Sequence, residues 1–153
     1  MPKISKYFTL EELTKSETAD KMKIVNKPNA EQIANLTKLA TTVLDPIRDK
    51  VGKPIMVTSG FRCPKLNEAV GGVKTSQHQF GQAADIVFFN DKKVKSNGVL
   101  LTAIRALIKE NKGFKCGQFL VEKGTPENPA WIHISLPFMK NGKMIVNVEG
   151  RIA

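Results

Sequence analysis

The sequence predicts an α+β fold: one domain over residues 1–153, built as an antiparallel sheet with helices on one side. Three observations predict it. Helical periodicity gathers before and between short strand-like segments, whereas a strict alternation of strand and helix would indicate a parallel sheet. Several of those segments alternate apolar and polar residues, so each buries one face and leaves the other more polar. The chain has 153 residues, the size of a single domain, and its 41% hydrophobic content supplies a core.

The elements follow in order. Residues 6–13 read as a strand or turn leading into a helical turn, with Thr9 as N-cap ahead of Glu11 and Glu12. Residues 29–50 carry the clearest helix. Asn29 caps it, and Ile33, Leu36, Leu39, Ala40, Val43 and Ile47 recur at helical spacing. Pro46 lacks an N–H, which predicts a kink or a break late in this helix. A strand over residues 54–58 precedes a loop rich in glycine and polar residues that runs to Gly81 and holds a short helix over Pro64–Ala69. Residues 84–89 predict a second strand. Residues 99–111 predict an amphipathic helix with Leu100, Ile104, Leu107 and Ile108 inward. Gln118–Glu122 and residues 131–136 form an expected antiparallel pair, and residues 138–148 a hairpin around Asn141-Gly142.

Composition narrows the function. The formal charge is +10, from 24 Lys+Arg against 14 Asp+Glu, which favours anionic partners such as nucleic acid or an anionic cell envelope. The lysines are scattered, with no basic helix and no patch interleaved with aromatics, so no nucleic-acid partner is expected. No segment approaches the roughly 18 apolar residues of a membrane helix, and membrane insertion is not expected. Glu11 and Glu12 interrupt any secretory apolar run, which predicts synthesis as a cytoplasmic protein that another protein must deliver to any external substrate. Cys63 and Cys116 make neither a disulfide framework nor a CxxC metal pair. They are expected as free thiols, although spacing alone leaves a single bridge open.

The only two histidines stand in informative settings. His78 precedes a strand in Ser76-Gln77-His78-Gln79-Phe80-Gly81-Gln82-Ala83-Ala84-Asp85, and His133 lies in Trp131-Ile132-His133-Ile134-Ser135. Strand alternation puts His133 opposite Ile132 and Ile134, and Asp85 opposite Ala84 and Ile86. Two imidazoles and a carboxylate suit zinc and leave a fourth position for water, yet by spacing alone a surface or hydrogen-bonded histidine is the commoner reading.

The pattern Ser76-x-His78-x-x-Gly81-x-Ala83-x-Asp85 with Trp131-x-His133 downstream resembles the signature of the M15 zinc peptidases, the D-Ala-D-Ala carboxypeptidase and phage endolysin group that shares a fold with the Hedgehog domain. The stretch Thr58-Ser59-Gly60-Phe61-Arg62-Cys63-Pro64-Lys65-Leu66-Asn67, continued by Gly71-Gly72, resembles another segment of that family. The resemblance implies a Hedgehog/DD-peptidase-like fold. It implies Zn2+ held by His78, Asp85 and His133, and hydrolysis of amide bonds in cell-wall peptides, with peptidoglycan as partner. It also implies that Arg62 binds a substrate carboxylate, for which a surface or structural ion pair is the plainer alternative. Ser76 is read either as a substrate contact or as a cap on the metal loop, and Trp131 either as a wall of the cleft or as a packing residue.

The family's acidic residue three positions before the last histidine has no counterpart here, because Ala130 occupies that position. Glu122 is the substitute chosen as general base. On its strand it shares a face with Gln118 and Leu120, and a hairpin would set it diagonal to His133. Glu127 is the second candidate, or plain solvated charge. The missing acid also keeps open a catalytically inactive zinc-binding module that recognises the cell wall.

Overall fold

The structure is a computed structural model that describes residues 2–152. Its helices begin where the sequence places caps. The Thr9 hydroxyl accepts the Glu12 N–H and the Glu12 carboxylate accepts the Thr9 N–H, so a capping box starts α1, Leu10–Thr14. Ser16 caps α2, Glu17–Met22, an element that sequence periodicity does not reveal because only Ala19 is buried. Asn29 and Gln32 form a second capping box at the start of α3, Ala30–Leu39.

The expected kink near Pro46 takes a specific form. After α3 the chain widens into a π-helical turn, Ala40–Leu44, and then resumes as α4, Asp45–Val51. The Asp45 N–H reaches back five residues to the Ala40 carbonyl. Pro46 has no N–H, and in an unbroken α-helix its ring would press on the carbonyl four residues back, so the wide turn lets the chain stay helical through the proline. It also brings Asp45, only 6% exposed, against the N-terminal segment. There its carboxylate accepts from the Ser5 hydroxyl at 2.9 Å and from the Lys6 and Tyr7 N–H groups at 2.9 and 3.3 Å.

The strands are β1 (Met56–Ser59), β2 (Ala83–Val87), β3 (Gln118–Glu122), β4 (Trp131–Ser135), β5 (Phe138–Lys140), β6 (Lys143–Ile145) and β7 (Val148–Ile152). Two further helices are α5 (Pro64–Ala69) and α6 (Asn97–Glu110). The main sheet has the order β1-β2-β4-β3-β7, and β5 and β6 form a separate hairpin whose turn contains Asn141 and Gly142.

Two sequence expectations need correction. The sheet is not wholly antiparallel, because β7 runs parallel to β3. The reason lies at Asn147. Its side chain accepts the Cys116 N–H and donates to the Phe114 carbonyl, while its own N–H donates to the Cys116 carbonyl. The chain is therefore pinned beside the start of β3, and β7 leaves in the same direction. The hairpin is also shorter than residues 138–148, since β6 ends at Ile145 and Val148 opens β7.

One face of the sheet carries the core. Leu36, Leu39, Val43, Leu44, Ile47, Leu100, Leu101 and Ile104 from α3 to α6 pack with Ala84, Ile86, Phe119, Val121, Ile132 and Ile134 from the strands. Such fully buried aliphatic side chains each contribute about 1.5–3 kcal/mol, which holds the sheet rigidly against the helices. Helices α2 and α5 instead meet around Ala19, Ile24 and Leu66 in a smaller cluster. Cys63 packs against both clusters. Among the described residues no helix is long and apolar enough to cross a membrane.

Candidate metal centre

Strand register builds the centre. Asp85 pairs with His133 across β2 and β4, so both project from the face opposite Ala84, Ile86, Ile132 and Ile134. His78 arrives from a 3-10 turn, Gln77–Phe80, whose N-cap is Ser76. The Ser76 hydroxyl accepts the His78 N–H at 3.2 Å, which is the capping geometry. The turn closes at Gly81 with φ of +73°, and a Cβ there would sit 2.6 Å from the Gln32 carbonyl oxygen of α3. Glycine is required at that position on both counts.

The three side chains converge. His78 Nε2 lies 3.4 Å from Asp85 Oδ1, and His133 Nδ1 lies 3.0 Å from the same oxygen. The imidazole centroids are 5.0 Å apart and the rings stand edge to face. One donor atom from each residue falls within 4.8 Å of the others. Tetrahedral zinc with bonds near 2.0–2.1 Å sets its ligand atoms about 3.4 Å apart, so this donor set fits the ion. The tautomer of His78 fits too. Its Nδ1 is 2.7 Å from the Gly60 carbonyl oxygen, which can only accept, so Nδ1 carries the proton and Nε2 offers its lone pair to the centre.

Electrostatics reinforce the arrangement. Burial pushes the Asp85 carboxyl up, but the His133 ring at 3.0 Å and the His78 ring beside it outweigh that. Together they hold the group far below the usual carboxylate range. Arg62 stands beside it, with Nη2 3.6 Å from Asp85 Oδ2. The Arg62 Nε donates to the Ser59 hydroxyl at 3.0 Å and Nη1 donates to Asn67 Oδ1 at 3.4 Å. Burial draws its pKa down while the Asp85 and Glu122 carboxylates draw it up, and a guanidinium stays charged throughout. Sequence reasoning did not find Ser59, Asn67 or the Gly60 carbonyl as supports. Only the neighbouring Ser59-Gly60-Phe61-Arg62 string hinted at them.

Glu122 lies where the hairpin geometry expected it. Leu120 pairs with His133 and Glu122 with Trp131, which makes Glu122 the diagonal neighbour of His133 on the same face. Its Oε2 accepts the Trp131 indole N–H at 3.0 Å. The Lys123 ammonium covers the same indole ring at 5.7 Å, so Trp131 sits between a carboxylate and a cation. Glu127 is exposed in the 123–130 loop, and among the described residues its side chain makes no hydrogen bond. Both cysteines are free, Cys63 half-buried and Cys116 buried.

A partly buried carboxylate flanked by two imidazoles and an arginine, with Glu122 on the same face of the sheet, can hold a divalent cation, bind an anionic group and move a proton. A family model described as Peptidase M15 matches residues 6–135, a stretch that contains every one of these side chains. No curated protein matches the chain.

Proposed function

The chain belongs to the M15 peptidase family, and from that premise we propose that it is a zinc-dependent peptidase hydrolysing amide bonds in bacterial cell-wall peptides. The observation that carries this reading is the convergence of His78, Asp85 and His133 within 4.8 Å, with His78 held in the tautomer a metal needs.

Zinc held by these three residues would supply Lewis acidity to water and to a peptide carbonyl. The chain's own residues do the rest. Glu122 Oε2 is occupied by the Trp131 N–H, so Oε1 is the atom free to take a proton from water and return it to the leaving amine. Arg62 keeps N–H groups on Nη1 and Nη2 beyond those bonded to Asn67 and directed at Asp85, and these can bind a substrate carboxylate or developing negative charge. Ser76 positions His78 through its backbone, and Trp131 positions Glu122.

The excess of positive charge would draw the protein to an anionic envelope, an attraction that added salt weakens. Delivery to the wall through a membrane opened by another protein, as for a phage endolysin, belongs to the same proposal.

Ala130 favours a second reading, a wall-recognition module that binds zinc without turnover. One experiment separates the two. Zinc-loaded protein is incubated with purified peptidoglycan and short peptides containing D-alanine, and released amines are counted with and without chelator. Chelator-sensitive release is the expected result. Zinc binding with no release establishes the module, and no zinc binding removes both readings.

A further inference from the structure

A cavity runs along β1 beside the metal centre. It has a volume of about 900 Å³, all four residues of β1 line it, and Arg62 lines it as well. Strand β1 is the edge of the sheet and pairs only with β2. In a paired strand about half of the backbone groups point away from the partner. Among the described residues, no backbone N–H or carbonyl of Met56–Ser59 meets a group outside β2 on that side. The cavity therefore has a wall of free main-chain donors and acceptors.

The side chains around it are equally unfinished. Met56, Val70 and Phe89 all line the cavity, and they are 54%, 43% and 40% exposed. Lys15 and Glu17 line it from the α1–α2 junction and bring charges of both signs. Free backbone edge, adjacent apolar surface and mixed charge are what an added peptide strand uses: main-chain bonds for affinity and alternate pockets for side chains.

Ser59 and Arg62 link the groove to the centre. Ser59, the last residue of β1, pairs with Asp85, and Arg62 is bonded to Ser59 while standing 3.6 Å from Asp85. We propose that the open edge of β1 binds an extended peptide segment of the substrate that continues past Arg62. The substrate is then an internal stretch of peptide, and the enzyme is an endopeptidase. A carboxypeptidase would need the path to end at the residue that grips the terminal carboxylate, whereas here the cavity that Arg62 lines also extends along all of β1. This rests on the peptidase reading and deepens it.

Geometry sets the length. A strand on the β1 edge lies two strand spacings, about 10 Å, from a point above β2, which an extended chain crosses in about three residues. Contacts with the groove therefore begin about three residues from the bond that is cut.

The test uses synthetic peptides of alternating L and D residues, four and eight residues long, with free or amidated C-termini. Amide exchange of Met56–Ser59 is measured in zinc-loaded Glu122→Gln with the amidated eight-residue peptide. The outward-facing amides should slow by about tenfold at saturation. In the unsubstituted protein, kcat/KM should be about tenfold higher for the longer peptide, the worth of about two net backbone hydrogen bonds. Amidation should have little effect, and Met56→Trp, which fills the groove, should erase most of the length advantage. Unchanged exchange, or cleavage that requires a free C-terminus, overturns the proposal. Slowed exchange with no chelator-sensitive cleavage in the unsubstituted protein upholds the groove as a peptide site and refutes the peptidase reading instead.

Discussion

The carbonyl oxygen of Gly60 accepts the Nδ1 proton of His78 at 2.7 Å, and the same glycine packs directly on the Leu13 carbonyl of α1. A Cβ at position 60 would lie 2.2 Å from that oxygen, closer than any real contact. Gly60→Ala should therefore shift the backbone at both ends of the relationship. It should lower folding stability by about 1–3 kcal/mol and weaken zinc binding about 10–100-fold, as loss of a partner to a metal-binding histidine does. Urea unfolding and chelator-competition titration measure the two effects.

Glu122→Gln tests the proton carrier. The amide keeps the size of the side chain and an acceptor for the Trp131 indole, so zinc binding should survive. Hydrolysis of cell-wall peptides should fall about 10²–10⁴-fold in kcat. Full activity in this variant would move the role to Glu127.

Trp131→Phe removes the indole N–H and keeps a ring. Glu122 then loses the hydrogen bond that orients it, and kcat should drop about tenfold, the scale of one net hydrogen bond to a charged group. KM should change little. A rise confined to KM would make Trp131 a substrate contact instead.

Cys116 is fully buried, and burial pushes its thiol up to about 11. A raised pKa means the folded state favours the neutral thiol. The stabilisation is complete below the unfolded value of about 8.5 and fades as pH rises from there toward 11. Urea midpoints should fall across that window, and fall less in Cys116→Ala. At pH 8 a thiol reagent should label Cys63 first and Cys116 only on unfolding.

Asn147 holds β7 in place with two side-chain bonds and has φ of +55°, a conformation asparagine tolerates better than most residues. Asn147→Ala should cost about 1–3 kcal/mol, because it strands buried backbone partners. Limited proteolysis should then cut within residues 148–152 before the rest of the chain.

Strand alternation separated His133 and Asp85 from the aliphatic face, but only the resemblance to the M15 peptidases joined them with His78 as one ligand set. The diagonal placement of Glu122 followed from the same alternation. What sequence could not show were contacts made by the backbone. The Gly60 carbonyl bears no mark in a string of letters, and neither does the free edge of β1. Strand β7 escaped notice because its direction depends on Asn147 meeting Cys116, a contact between distant segments. Helix α2 was hidden by having a single buried residue. Pro46 announced a disturbance but could not say that the helix would widen rather than break.

That widening acts as a spacer in the helix. Five residues complete one circuit where about four would suffice, so everything after Leu44 is rotated by roughly 100° against an uninterrupted α-helix. Removing one residue from Ala40–Leu44 would press the Pro46 ring on the carbonyl four residues back and would swing Asp45 away from Ser5, Lys6 and Tyr7. The added residue thus works like a shim, trading a regular helix for a carboxylate aimed at the chain's opening segment.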